Sequence, residues 1–212
     1  MNQHLDNLVE RYPQLDVCKS EINHAYELME EAYRNGRKLL VCGNGGSASD
    51  SEHIVGELMK EFKLKRKVYS EQASALKSID PELGQVLADN LQGALPAISL
   101  TGHSSLQTAF MNDAVPELVF AQQVNGYGKP GDVFLGISTS GNSKNVLYAA
   151  VNAKAKGLKV IGLTGSKENK LMKYTDVCIR VPEIETYKIQ ELHLPVYHCL
   201  CLMLEDKFFG EK

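Results

Sequence analysis

The chain has 212 residues, of which 43% are hydrophobic and 23% charged, and its formal net charge at pH 7 is -3. This length and balance are typical of one globular domain with a sizeable core. The small negative charge gives no general attraction to nucleic acid or to an anionic membrane, and no apolar run approaches the roughly 18 residues of a membrane span. We therefore expect neither nucleic acid nor a membrane as partner.

The cysteine pattern bears on the cellular compartment. The chain has five cysteines, an odd number without C-x-x-C spacing, and Cys42 and Cys178 lie in apolar runs. A free thiol in such a run acts as a small hydrophobe, which favours a reducing compartment. The first residues lack the basic and then apolar pattern of a signal peptide. We predict a cytoplasmic protein.

Helical periodicity opens the chain. In DVCKSEINHAYELMEEAYRN (16–35) apolar residues recur at helical spacing, with Asp16 as the predicted N-cap and Gly36 as the stop. A shorter helix is predicted before Pro13. We interpret residues 1–36 as a helical segment that packs on the domain or on a neighbouring subunit.

From Lys38 onward, short apolar runs alternate with helical patterns. Buried strands are predicted at KLLVCG (38–43), LPAISLTG (95–102), GDVFLGIS (131–138), LKVIGLTG (158–165) and TDVCIRVP (175–182). Helices are predicted between them at 49–62, about 81–92, 116–124 and 143–156. This alternation indicates an α/β fold, a three-layer αβα sandwich with an open five-stranded parallel sheet. We assign it to residues 37–212, with an insertion near 63–94 that holds a loop and a helix.

The last long segment, ETYKIQELHLPVYHCLCLMLEDKFF (185–209), is apolar around much of its circumference. This pattern predicts a helix that is buried on several sides, against the domain or between subunits. Pro195 inside it predicts a kink or a break in the hydrogen-bond ladder.

Two strand ends carry unusual residues. NGGSAS (44–49) and STSGNS (138–143) each follow a predicted strand and precede a helical pattern. Each would present backbone N–H groups and hydroxyls at a helix N-terminus, a geometry that binds anions. Capping and turn formation alone are the alternative. Two such loops on one edge of the sheet, where ligands collect, favour a phosphate site.

The motifs present in the sequence restrict which class of phosphate ligand the chain can bind. Gly43-x-Gly45-x-x-Ala48 fits a relaxed dinucleotide fingerprint, which also needs an acidic residue at a strand end about 20 residues later. That window is KLKRKVYS (63–70), which is basic. The chain also contains no Gly-x-x-x-x-Gly-Lys-Ser/Thr motif. We therefore predict no nucleotide cofactor and a smaller phosphorylated metabolite as ligand.

Polar side chains on two predicted helices have the chemistry of a reactive site. His53 and Glu57 are spaced i, i+4 on one helix face, where they could hold a divalent ion, pair an acid with a base, or form only a surface hydrogen bond. Gln190, His193 and His198 lie in the apolar last helix, where buried polar groups need partners. We interpret His193 as a satisfied core residue and His198 as functional. Helical rise separates Gln190 from His198 by about 12 Å, so one straight helix cannot bring both to one metal.

GNGGS followed by His53 and Glu57, Asn112-Asp113, GISTSGNS (136–143) and the Gln190/His198 pair together resemble the sugar isomerase (SIS) domain family. Within it, the chain is most similar to the phosphoheptose isomerase family, and the resemblance covers nearly the whole chain. It implies an aldose–ketose isomerase of carbohydrate metabolism, acting on sedoheptulose 7-phosphate and D-glycero-D-manno-heptose 7-phosphate in heptose or lipopolysaccharide biosynthesis.

The resemblance also implies residue roles and an assembly. It implies a homotetramer with active sites at subunit interfaces, and an enediol mechanism with Glu57 as base and His198 as acid. A zinc ion would be held by His53, Glu57, Gln190 and His198. The residues in contact with the sugar phosphate would be Asn44, Gly45, Gly46, Ser47, Glu57, Asn112, Asp113, Ser138, Thr139, Ser140, Ser143 and Gln190.

The chain departs from the family pattern at two places. Tyr187 stands where the family usually has an acidic residue, three positions before Gln190, and the 63–94 interval is longer than usual. Two alternatives follow: an isomerase for a different sugar phosphate, and a non-catalytic SIS-fold tetramer that binds a protein partner such as a replication initiator. The presence of both Glu57 and His198 favours the enzyme.

Overall fold

The structure, a computed structural model, describes residues 2–210. Over this range one parallel sheet contains five strands: β1 (Leu39–Cys42), β2 (Ala97–Ser99), β3 (Val133–Ile137), β4 (Lys159–Gly165) and β5 (Val177–Val181). Their order across the sheet is β2-β1-β3-β4-β5, and every neighbouring pair is parallel. The strand order therefore reverses direction beside β1, and an open sheet binds ligands at such a switch point.

The strands are covered on both faces by helices. Those in the described range are α1 (Gln3–Arg11), α2 (Lys19–Arg34), α3 (Gly46–Met59), α4 (Ser70–Ile79), α5 (Pro81–Asn90), α6 (Ser104–Asp113), α7 (Val119–Tyr127), α8 (Lys144–Ala155) and α9 (Thr186–Phe209). Short 3₁₀ turns lie at Pro13–Cys18, Pro116–Leu118 and Leu171–Tyr174.

The core consists of two layers separated by the sheet. In β1, Leu39 and Val41 pack with α1, α2, α3 and α9, whereas Leu40 and Cys42 pack with α7 and α8. This alternation follows from the two-residue period of a strand. The predicted αβα sandwich with an open parallel sheet is confirmed.

The N-terminal helices lie on the α9 face of the sheet and share its core. The predicted N-cap at Asp16 is wrong, because Pro13 begins a 3₁₀ turn that runs to Cys18, and α2 begins only at Lys19. The predicted stop is confirmed: Gly36 has a φ of +65° and its N–H bonds to the carbonyl of Tyr33. The boundary of the segment at residue 36 stays a prediction.

The interval 63–94, which the sequence predicts to be an insertion, contains two helices, α4 and α5, where the sequence predicts one. An isolated antiparallel bridge between Lys67 and Gln92 closes its base. The helix that the sequence does not predict in this interval is α4, and α6 is a second helix that it does not predict. Among the described residues, α4 and α6 bury no side chain, so neither has the apolar stripe that periodicity detects.

The last helix runs through Pro195 without interruption. Because proline has no N–H, the hydrogen-bond ladder lacks one bond at this position, as the sequence predicts, although the helix continues. The helix α9 packs against α1, α2, α3 and β4. These contacts keep it helical at Pro195, where the backbone hydrogen bond is missing. Within residues 2–210, no helix is long and apolar enough to cross a membrane.

Candidate active site

The two predicted phosphate loops lie side by side, because β1 and β3 are neighbours and end at the same edge of the sheet. The side-chain amides of Asn44 and Asn145 exchange two hydrogen bonds, of 3.0 and 2.8 Å, and so tie the first loop to the start of α8. No pattern in the sequence indicates a role for Asn145. We call residues 43–47 and 138–145, together with Gln190, the loop cluster.

The serine hydroxyls of the second loop face one another. Ser138 Oγ lies 3.0 Å from Ser143 Oγ, and Ser140 Oγ accepts a hydrogen bond of 3.2 Å from the backbone N–H of Asn142. Although Ser143 occupies the N-cap position of α8, in the described chain it makes no side-chain capping bond. Capping therefore does not account for the hydroxyls of Ser138 and Ser143. The N–H of Val146 in the first turn of α8 is bonded to Asn145 Oδ1, and the N–H groups before it can be offered to an anion.

Gln190 joins the loop cluster through a close contact with α3. A Cβ atom built on Gly46 would lie 2.6 Å from Gln190 Nε2, so only glycine leaves room for this approach. The preceding Gly45 has a φ of +57°, a left-handed conformation that glycine adopts at little cost. The glycines of this loop therefore shape the turn and admit a side chain from α9.

A second group of polar side chains lies further along α3. His53 Nε2 is 3.1 Å from Glu57 Oε1, and the rings of His53 and His198 are 5.1 Å apart between centroids. Tyr197 and Asp50 complete this group, because the Tyr197 hydroxyl contacts His53 and donates a hydrogen bond to Asp50. We call these five residues the histidine cluster. Sequence reasoning missed Asp50 and Tyr197.

Three atoms of the histidine cluster are buried without a hydrogen-bond partner among residues 2–210: Asp50 Oδ2, Glu57 Oε2 and His198 Nε2. Lys60 Nζ lies 3.8 Å from Glu57 Oε2, beyond hydrogen-bond distance. Buried polar atoms rarely stay unbonded in folded proteins, so these three atoms are candidates to bind a ligand. His198 also lines a groove of about 880 Å³ between α1 and α9.

Burial shifts the pKa of two side chains in the histidine cluster, His198 and Asp50. Desolvation lowers the pKa of His198, the nearby His53 lowers it further, and the Glu57 carboxylate opposes the shift. The imidazole of His198 is therefore neutral at pH 7 and carries one N–H donor. Burial also raises the pKa of Asp50, against the hydrogen bond from Tyr197, which lowers it.

Within one chain, the two clusters are separate. Glu57 follows Gly46 by eleven positions in α3, which corresponds to roughly 16 Å along the helix axis. Gln190 lies with the loop cluster, so the structure brings together three of the four predicted zinc ligands and not the fourth. In the described part of the chain, no three or more His, Cys, Asp or Glu side chains are grouped to hold a metal ion.

The remaining predicted residues lie at the margin. Asn112 and Asp113 end α6, are exposed, and bond to each other through a side-chain hydrogen bond of 2.8 Å. Thr139 and Ser140 line a cavity of about 180 Å³ that extends to Lys167. Their contacts with substrate stay predictions.

Comparison with known proteins gives the family. The family model of the SIS domain matches residues 3–83 and 82–165. A phosphoheptose isomerase from Clostridium acetobutylicum is 38% identical over 192 residues, which cover 91% of this chain and 85% of that protein. One from Synechocystis is 35% identical over 212 residues, which cover 100% and 95%.

The solved structure of a phosphoheptose isomerase from Neisseria gonorrhoeae matches with a TM-score of 0.74 and 31% identity, over 96% of this chain and 95% of that chain. The chain belongs to the SIS domain family and, within it, to the phosphoheptose isomerase family. The predicted resemblance is confirmed.

Proposed function

We propose that the chain is an aldose–ketose isomerase that interconverts sedoheptulose 7-phosphate and D-glycero-D-manno-heptose 7-phosphate. The observation that carries this proposal is membership of the phosphoheptose isomerase family together with the proximity of Glu57 and His198, each with a buried, unbonded atom among the described residues. A protein that only binds a partner would need neither an unbonded carboxylate nor an unbonded imidazole.

The reaction moves a carbonyl between C2 and C1 of the sugar. Glu57 takes a proton from C1 of the ketose while His198 donates its N–H proton to the C2 oxygen, which gives an enediol. Return of a proton to C2 and loss of the proton on the C1 oxygen give the aldose. A neutral His198, which its lowered pKa ensures, can act as donor in the first step and as acceptor in the second.

The loop cluster holds the phosphate end of the substrate and so orients its reacting end. Because roughly 16 Å of helix separates Gly46 from Glu57 in one chain, we place the active site between subunits of a homotetramer, where the loop cluster of one meets the histidine cluster of another. The exposed apolar side chains of the α4–α5 hairpin, including Ile79, Leu83 and Val86, support an interface between subunits.

We further propose that the histidine cluster holds a zinc ion once a neighbouring subunit completes the site, since the described residues of one chain do not group three such side chains around a metal. His53, Glu57 and His198 supply nitrogen and oxygen donors of the kind that zinc prefers, and the buried Glu57 Oε2 and His198 Nε2 lack bonds in the described chain. A neighbouring subunit's Gln190 would be the fourth ligand. When bound, zinc would polarise the substrate carbonyl. We place the enzyme in the cytoplasm, in a pathway to heptose-containing saccharides such as lipopolysaccharide.

The direct test is incubation with sedoheptulose 7-phosphate while aldose formation is followed. We expect wild-type activity, and a loss of roughly 10²–10⁴-fold for Glu57→Gln and for His198→Ala. Glu71→Gln and His24→Ala are the matched controls, because both residues are exposed on other helices.

Each outcome separates the candidates. A wild-type protein inactive on several sugar phosphates would favour the partner-binding alternative, and activity on another sugar phosphate would correct the substrate. Activity that survives both Glu57→Gln and His198→Ala would remove the acid–base assignment. Activity lost to a chelator and restored by zinc would support the metal.

A further inference from the structure

A chain of three short polar contacts runs through the histidine cluster. Tyr197 Oη lies 3.2 Å from Asp50 Oδ1 and 3.0 Å from His53 Nδ1, and His53 Nε2 lies 3.1 Å from Glu57 Oε1. The Tyr197 side chain is 1% exposed, so water does not compete for its hydroxyl. Both ring nitrogens of His53 therefore face a defined protein atom.

The donors in this chain can be counted. An ionised carboxylate only accepts hydrogen bonds, and a phenol has a single hydrogen to donate. If Tyr197 donates to Asp50, then its oxygen must accept from His53, and the proton of His53 must be on Nδ1. Nε2 and Glu57 Oε1 then face each other at 3.1 Å, each with a lone pair. Two such acceptors attract only a positive centre.

We propose that Asp50 and Tyr197 are positioning residues that keep a proton on His53 Nδ1, so that Nε2 and the Glu57 carboxylate together receive a cation. This inference rests on the proposed function, because it assigns the orientation of the groups that would hold the zinc ion. Hydrogen bonding from a ring N–H to an outer partner fixes which nitrogen of a histidine is free to bind a metal.

The geometry of the two helices supports this role. Asp50, His53 and Glu57 lie at i, i+3 and i+7 of α3 and so share one face, while Tyr197 comes from α9 and bridges the first two. The Tyr197 ring stands nearly perpendicular to the His53 ring, at 5.6 Å between centroids. Tyr197 also precedes His198, so its contacts with α3 fix both histidines relative to Glu57.

The tautomer of His53 can be read directly by ¹⁵N NMR of histidine-labelled, metal-free protein at a mildly alkaline pH of about 8.5. His53→Gln identifies the signals. We expect an Nδ1-protonated ring in the wild type. Tyr197→Phe should move the proton to Nε2, because Glu57 is then the remaining acceptor.

Asp50→Asn gives a sharper test, because it keeps the shape and reverses the hydrogen bonds. An asparagine amide can donate to Tyr197, whose hydroxyl is then free to donate to Nδ1, and the proton should move to Nε2. Tyr148→Phe, at a half-exposed tyrosine on α8, is the matched control and should leave the tautomer unchanged. A wild-type ring protonated on Nε2, or variants with the wild-type tautomer, would overturn the proposal.

Zinc affinity is a second test of the positioning role of Asp50 and Tyr197. With zinc alone and a competing chromophoric chelator, we expect Tyr197→Phe and Asp50→Asn to bind about 10–100-fold more weakly than the wild type. Unchanged affinity in both variants would contradict a positioning role. Neither measurement uses a sugar phosphate, so an enzyme inactive on the heptose phosphate but with the expected tautomer would refute the proposed substrate and leave this inference standing.

Discussion

Replacing Glu205 with glutamine should destabilise the protein strongly. The carboxylate of Glu205 accepts hydrogen bonds from Arg66 Nε at 2.8 Å and from the backbone N–H groups of Phe62 and Lys63 at 2.9 Å each. The side chains of Arg66 and Glu205 are 0% and 1% exposed. Glutamine keeps the shape of the side chain but leaves the guanidinium buried without a counter-charge.

The expected magnitude follows from this burial. Burial alone would raise the pKa of Glu205, but the two backbone N–H groups and Arg66 hold it below its usual value, so the carboxylate is ionised at neutral pH. Removing one partner of a buried ion pair typically costs about 3–5 kcal/mol. For a chain of this length each kcal/mol lowers Tm by about 2–4 °C, so we expect a fall of about 6–20 °C.

Activity should fall as well. Arg66 donates hydrogen bonds of 2.8 Å to the carbonyls of Leu58 and Glu57, at the end of α3. The buried pair therefore joins the helix that carries Glu57, the proposed base, to the helix that carries His198. We expect kcat to fall more than KM rises, because the phosphate loops lie at the opposite end of α3.

Thermal unfolding and equilibrium urea unfolding measure the stability change. Glu185→Gln is the control, because it removes a solvent-exposed pair with Lys188 and should leave Tm nearly unchanged. The double variant Arg66→Met/Glu205→Leu should recover much of the loss, since an apolar replacement leaves no isolated charge. A Tm for Glu205→Gln within the range of the control would refute the reasoning.

Three further predictions concern other positions. Burial lowers the pKa of His193 to about 4. The free energy of unfolding should therefore be highest above about pH 6.5 and fall by up to about 3 kcal/mol as the pH drops toward 4. In urea unfolding, His193→Gln should make this free energy less dependent on pH. Gly46→Ala should displace Gln190 and reduce kcat/KM, whereas Gly56→Ala, with open space around its Cβ, should not; equal effects would argue against the close contact. Asn145→Ala breaks the amide pair between the two loops and should raise KM up to about tenfold with kcat little changed. An unchanged KM would show that this pair does not contribute to substrate binding.

Periodicity located the elements that bury side chains. Every predicted strand is present because each is a short apolar run with helices on both sides. The helices α4 and α6 escaped prediction because, in the described range, neither buries a side chain. Asp16 was assigned as a cap from its residue type alone, while the fixed φ of Pro13 directs the chain into a 3₁₀ turn.

In the candidate site, too, some residues can be identified from the sequence and others only from the fold. His53 and Glu57 are four residues apart on one helix, so spacing alone identified them. Tyr197 and Asp50 are separated by 147 residues, and Asn44 and Asn145 by 101, so only the fold brings each pair together. The sequence also could not show that α3 holds its loop and its carboxylate at opposite ends.

The central claim is that Glu57 moves a carbon-bound proton of a phosphorylated heptose. Conversion of sedoheptulose 7-phosphate in D₂O tests it most directly, with deuterium at C2 of the aldose measured by mass spectrometry and NMR. The account predicts solvent deuterium at C2 with the wild type, and neither aldose nor exchange at C1 of the ketose with Glu57→Gln. Aldose formed without solvent deuterium, or exchange at the wild-type rate in Glu57→Gln, would contradict it.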